Sequence, residues 1–115
     1  MAGFNCNLRK KRTFELTLPD EKETVVLIKS PSKDTVTALF EIFPKFSNLG
    51  KNPDAKTMAG VSEDAYDLGV DIINNNQSGY VIDKEKLKEY MDFFMLIEFV
   101  TEFTQFITES ISEKN

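Results

Sequence analysis

Residues 74–85, a stretch rich in asparagine, have the side-chain types and spacing best suited to binding a ligand. Gly79 would take the sixth position of a twelve-residue calcium loop, where such loops turn sharply. Oxygen-bearing side chains occupy the first, third, fifth and twelfth positions, namely Asn74, Asn76, Ser78 and Glu85. This spacing is compatible with a single calcium-binding module.

The same stretch departs from the EF-hand pattern in three ways. Its first position is asparagine rather than aspartate, so only Glu85 would bring negative charge directly to the ion. Ile82 offers no oxygen at the ninth position, and we find no second loop of the kind that usually accompanies an EF-hand. We therefore predict a polar turn between two helices and no metal or other cofactor. A weak calcium module is kept as the alternative.

Composition excludes several classes of enzyme. The chain has no histidine, which removes histidine-based acid–base catalysis, Ser-His-Asp triads and most zinc sites. Its one cysteine, Cys6, cannot form an intrachain disulfide, and without histidine it is a poor candidate nucleophile. No glycine-rich phosphate loop is present, and no pair of carboxylates lies in an apolar or aromatic setting. We therefore expect a protein that is not an enzyme.

Charge is spread unevenly along the chain. Residues 1–56 carry a net charge of +3 and residues 57–115 a net charge of −8. The basic excess comes mostly from residues 9–12, Arg-Lys-Lys-Arg, which could contact nucleic acid. A small homo-oligomeric nucleic-acid-binding regulator is therefore a second alternative. Because no aromatic residue interrupts this run and the rest of the chain is acidic, we predict a flexible basic leader over residues 1–12 and do not expect nucleic-acid binding.

The elements that would position these residues are a β-hairpin and three helices. Polar and apolar residues alternate near the start of the chain and β-branched residues follow, which predicts a hairpin over 13–28. Apolar periodicity predicts helices over 33–43, 62–74 and 84–110, with a loop at 47–61 and a tail at 111–115. Pro44 is expected to end or kink the first of these helices near Phe43. We therefore predict one mainly helical α+β domain over residues 13–110. No apolar run approaches the ~18 residues that a membrane span requires.

The last predicted helix is rich in phenylalanine and has two apolar stripes that point in nearly opposite directions. The stripe of its second half consists of Leu96, Phe99, Val100, Phe103, Phe106 and Ile107. One straight helix cannot bury both stripes against one small core. No proline or glycine between residues 84 and 112 forces a break. We therefore expect the second stripe to pack on a partner, which could be a second copy. A bend near Leu96–Glu98 that folds the stripe back is the alternative.

The order of elements resembles that of the tail assembly chaperones of long-tailed phages and prophages of Gram-positive bacteria. The residues that carry the resemblance are the hairpin 13–28, the segment 67–76 and the phenylalanine-rich segment Phe93–Ile107. The likeness covers residues 13 to about 110 as a pattern of elements and apolar positions.

The resemblance implies a non-enzymatic protein of the host bacterial cytoplasm that is absent from the mature virion. Such a chaperone binds the tape-measure protein before tail-tube protein polymerises around it. A longer form made by ribosomal frameshifting commonly accompanies the short form. The phenylalanine stripe would then serve client binding or self-association.

Overall fold

The computed structural model describes residues 3, 12–51 and 54–112, with the backbone alone at 110–112. Two strands are followed by four helices: β1 (Thr13–Thr17), β2 (Val25–Lys29), α1 (Lys33–Lys51), α2 (Ala55–Asn74), α3 (Lys84–Tyr90) and α4 (Phe93–Ser112). The predicted mainly helical α+β fold with an N-terminal hairpin is confirmed. The number of helices differs from the three that we predicted, because the last predicted helix is divided.

The hairpin forms where the alternation of the sequence predicts it. β1 and β2 are antiparallel, with Phe14 opposite Ile28 and Leu16 opposite Val26. Val26 and Ile28 are fully buried, as expected for the inward-facing residues of a strand with one covered face. The turn is closed by Asp20, whose carboxylate accepts hydrogen bonds from the backbone N–H and the hydroxyl of Thr24 at 2.8 and 2.6 Å. These bonds lower the pKa of Asp20.

Helix α1 does not end at Pro44, so the predicted boundary at residue 43 is wrong. The helix continues to Lys51 with Pro44 inside it. Proline leaves the carbonyl four residues earlier, that of Phe40, without its helical donor. Both residues are exposed, so water can satisfy that carbonyl. Burial of Leu49 beyond the proline stabilises the continued helix.

Helix α2 begins at Ala55 rather than at Ser62, so most of the predicted loop at 47–61 is helical. The N-cap is Asp54, whose carboxylate accepts from the backbone N–H and the hydroxyl of Thr57 at 2.7 and 3.0 Å. These bonds lower the pKa of Asp54. Val61 is buried in this added portion, so tertiary packing outweighs the low helix propensity of Gly60.

The predicted helix over 84–110 is divided at Met91 and Asp92. Met91 has an extended backbone (φ −133°, ψ 124°), and its carbonyl accepts a hydrogen bond of 2.7 Å from the buried Tyr66 hydroxyl. Asp92 caps the new helix, since its carboxylate accepts from the N–H of Met95 at 2.8 Å. The break lets Leu87 and Met91, which precede α4, share one core with Leu96, Val100 and Phe103 of α4. The bend that we kept as the alternative is therefore present, although at 91–92 rather than near Leu96–Glu98.

All six elements contribute to this core. The ring of Phe14 on β1 packs edge-on against Phe99, Phe103 and Phe106 of α4, with centroid distances of 5.5–6.0 Å. α2 approaches α3 and α4 closely at Gly69, where an added Cβ would lie 2.9 Å from a Leu87 methyl and 3.0 Å from a Leu96 methyl. The core therefore depends on side chains from both halves of the divided helix.

Candidate protein-binding surface

Three of the four side chains proposed as calcium ligands form hydrogen bonds within the protein itself. The amide of Asn74 exchanges two hydrogen bonds with the backbone of Ile82, at 2.8 and 3.0 Å. The Asn76 side-chain oxygen accepts from the N–H groups of Ser78 and Tyr80, and the Ser78 hydroxyl accepts from the N–H of Leu27. Backbone N–H groups therefore occupy the side-chain oxygens of Asn74, Asn76 and Ser78. Within 12–51 and 54–112, no cluster of three or more histidine, cysteine, aspartate or glutamate side chains could hold a metal.

The asparagine-rich segment instead extends the hairpin. The N–H of Lys29 donates to the carbonyl of Asn75 at 2.8 Å, and the N–H of Gln77 donates to that of Leu27 at 2.9 Å. Residues 75–78 therefore cover the outer edge of β2, with an isolated antiparallel bridge between Ile28 and Asn76. The Asn76 amide also donates to the carbonyls of Ile73 and Tyr80, at 2.7 and 2.8 Å. These asparagines have a structural role, and Glu85 is exposed on α3.

The stripe that we predicted to bind a partner lies in the core of this chain. Leu96, Val100 and Phe103 are fully buried and Phe99 is 7% exposed. Phe106 and Ile107 are partly buried and pack against the same cluster. The prediction that this stripe meets a partner rather than its own core is wrong. The physical reason is the break at Met91 and Asp92, which turns α4 so that its stripe faces α2 and the hairpin.

Other phenylalanines remain at the surface, where α1 meets the first turn of α4. Phe94 is 74% exposed and Phe40 is 61% exposed. Centroid distances of 5.9–6.1 Å connect Phe43 to Phe46, Phe46 to Phe93, and Phe93 to Phe94. We call these five residues the aromatic surface. The sequence did not reveal this surface, because a break before Phe93 had to be known first.

The acidic face of α2 is largely neutralised by α3. Lys84 pairs with Glu63 at 2.6 Å and with Asp67 at 2.8 Å, and Lys88 pairs with Glu63 at 2.9 Å. The hydrogen bonds from Lys84 and then Lys88 lower the pKa of Glu63 to about 2. The bonds from Asp67 and then Glu63 raise the pKa of Lys84. These charges serve helix packing and do not form a free acidic surface.

The basic run is mostly outside the described residues, as is Cys6. Of residues 9–12, Arg12 is described, and its guanidinium carbon lies 5.3 Å from the centroid of the Phe106 ring. The nucleic-acid alternative therefore stays a prediction.

The helices described by the structure include none with the length and apolar character needed to cross a membrane. Comparison of the chain with models of protein families, with curated proteins and with solved structures finds no match.

Proposed function

We propose that this protein is a non-enzymatic tail assembly chaperone of a long-tailed phage or prophage. In this proposal it binds the tape-measure protein and tail-tube components in the host cytoplasm and is absent from the mature virion. The order of elements in the sequence supports the proposal. The structural observation that carries it is the aromatic surface, because a chaperone needs apolar groups that a client can reach.

The aromatic surface suits an apolar partner. Burial of exposed apolar area stabilises a complex by roughly 25 cal/mol per Å². Phe40 and Phe94 are the most exposed of the five, and the contact between Phe46 and Phe93 connects the two helices. An amphipathic helix offers apolar side chains at every third or fourth position, which allows it to lie along such a surface. Tape-measure proteins are long and helical, so they supply this kind of partner. Self-association through the same surface would compete with the client.

A genomic test is the most direct. We expect a slippery heptamer near the stop codon, an overlapping second frame and, downstream, a very long reading frame that encodes a helical protein. An isolated gene without these features would contradict the proposal.

A binding test uses the product of that long reading frame as the client. Phe94→Glu and Phe40→Glu place a carboxylate on the aromatic surface without touching the core, and each should weaken co-purification of the client by about tenfold or more. Val81→Glu is the matched control, since Val81 is 81% exposed and lies on the segment between α2 and α3. Equal client binding by all three variants would refute the role of the aromatic surface.

A further inference from the structure

The two edges of the hairpin differ in whether their backbone groups have hydrogen-bond partners, and the proposed function does not involve either edge. In an antiparallel pair, alternate residues direct their backbone groups towards the partner strand and away from it. On β2, the N–H groups of Leu27 and Lys29 point to residues 75–78, so Val26 and Ile28 bond to β1. Leu16 and Phe14 are their partners.

The backbone groups of Thr13, Glu15 and Thr17 consequently face away from β2. Within the described part of the chain the sheet has only these two strands, and no hydrogen-bond partner from it reaches that edge of β1. An unpaired edge is a template for another extended segment.

A groove runs beside this edge, between β1 and the first half of α4. It encloses about 250 Å³ and is lined by Leu16, Tyr90, Met95 and Phe99 among its apolar residues. We call it the edge groove. Pockets for small molecules usually measure about 300–1,000 Å³. The edge groove is smaller than that range, and its size and apolar lining suit a side chain that projects from a strand.

Three carboxylates also line the edge groove: Glu15 on β1 and Glu98 and Glu102 on α4. All three are exposed, and none forms an ion pair with a lysine or arginine of the described residues. At one end Lys86 lies 5.3 Å from the Tyr90 ring centroid, but it pairs with Glu89 at 3.5 Å. At the other end Arg12 adjoins Thr13, and its guanidinium carbon lies 5.3 Å from the Phe106 ring centroid. With Glu15, Glu89, Glu98 and Glu102 against Lys86 and Arg12, carboxylates outnumber cations among the described residues along the open edge.

We propose that the edge groove binds an extended, basic segment of another protein, which pairs with the outer edge of β1 as an added strand. Its main chain would bond to Glu15 and Thr17, an apolar side chain would enter the cavity, and its lysines or arginines would meet the carboxylates. A second copy of this chain is disfavoured as the occupant, because pairing β1 with β1 brings like charges together. The inference stands without the tail-chaperone proposal, since it uses a different surface.

The test uses the full chain and two short labelled peptides, one with lysine alternating with valine and one with glutamate alternating with valine. Fluorescence anisotropy should show binding of the lysine peptide that weakens with added salt. On binding, the amides of Glu15 and Thr17 should become protected from hydrogen exchange. Equal affinity for the glutamate peptide, or binding without this protection, would overturn the proposal. So would edge protection that rises with protein concentration in the absence of peptide, because the occupant would then be a second copy.

Variants separate the two contributions to binding. The double variant Glu98→Lys with Glu102→Lys should lower the affinity for the lysine peptide by about tenfold. The control Asp71→Lys, on the exposed face of α2, should leave that affinity within about twofold of the wild type. Thr17→Pro removes an N–H that points away from β2 and that the added strand would use as a donor. Proline cannot donate this hydrogen bond, so the variant should bind the lysine peptide more weakly. Unchanged affinity in the charge-reversed variant would refute the role of the carboxylates.

Discussion

Two glycines of helix α2 offer a sharp test of how the helices pack. Gly60 is exposed, and a Cβ added there would meet no atom within 4 Å. Gly69 is buried, and a Cβ added there would lie 2.9 and 3.0 Å from methyl groups of Leu87 and Leu96. Both leucines are fully buried, so neither methyl group can move into solvent. The same substitution therefore has opposite expected effects at two positions of one helix.

The expected difference in stability between the two variants has two contributions, helix propensity and core packing. Replacing glycine by alanine inside a helix raises the free energy of unfolding by about 0.5–1 kcal/mol at either position. Overpacking in a filled core costs about 1–3 kcal/mol, and this cost applies only at Gly69. The propensity term cancels in the comparison, so Gly60→Ala should be more stable than Gly69→Ala by about 1–3 kcal/mol.

Urea unfolding monitored by circular dichroism measures this difference. In a thermal scan the unfolding midpoints of the two variants should differ by roughly 4 °C or more. Shortening the neighbour tests the cause: in a Leu87→Val background, Gly69→Ala should cost less than in the wild type, because the closest methyl group is gone. Equal stability of Gly60→Ala and Gly69→Ala would refute the claim that α2 meets α3 and α4 through a tightly filled contact.

Three further predictions follow from the described contacts. Phe103→Ala should lower the free energy of unfolding by about 3–5 kcal/mol, and Phe94→Ala by less than about 0.5 kcal/mol, in urea titrations; similar losses would mean that the burial of α4 is incorrect. Asn76→Ala removes four hydrogen bonds and should cost about 2–3 kcal/mol, whereas a loss near zero would deny it a structural role. The low pKa of Glu63 means that its ionised form stabilises the fold above pH 4.5 and that this contribution disappears as the pH falls towards 2. The wild type should therefore exceed Glu63→Gln in stability near neutral pH, with a difference that shrinks in acid; a pH-independent difference would contradict this assignment.

The local sequence pattern predicted the structure correctly where the structure depends on residues within a single element. The period-2 alternation around Phe14 and Leu16 predicted the hairpin, since a half-buried strand needs that pattern whatever covers it. Asp83 caps the helix that begins at Lys84, since its carboxylate accepts from the N–H of Lys86 at 2.8 Å. Capping depends on residues three positions apart, so the sequence contains all of the information.

Local signals failed where packing outweighed them. Pro44 was expected to end a helix and residues 47–61, which include Gly60, were expected to form a loop. Both Pro44 and Gly60 lie on an exposed part of a helix whose other face is buried. The polar spacing of Asn74, Asn76 and Ser78 fitted a calcium loop, but their oxygens bond to backbone groups of the segment itself and of β2. A spacing rule cannot distinguish an ion from a backbone N–H as the partner of an oxygen.

The sequence by itself determined that the chain is α+β, that the last segment carries two opposed apolar stripes, and that these cannot share one core along a straight helix. Only the tertiary structure decided how that conflict is resolved. The break at Met91 and Asp92 is stabilised by the Tyr66 hydroxyl, from a residue far away in sequence, which bonds the carbonyl of Met91. Because of that break, Phe103 is buried and Phe94 is exposed. The helices of the fold decide by their packing which phenylalanines face solvent. The spacing of apolar residues within one helix does not contain this information.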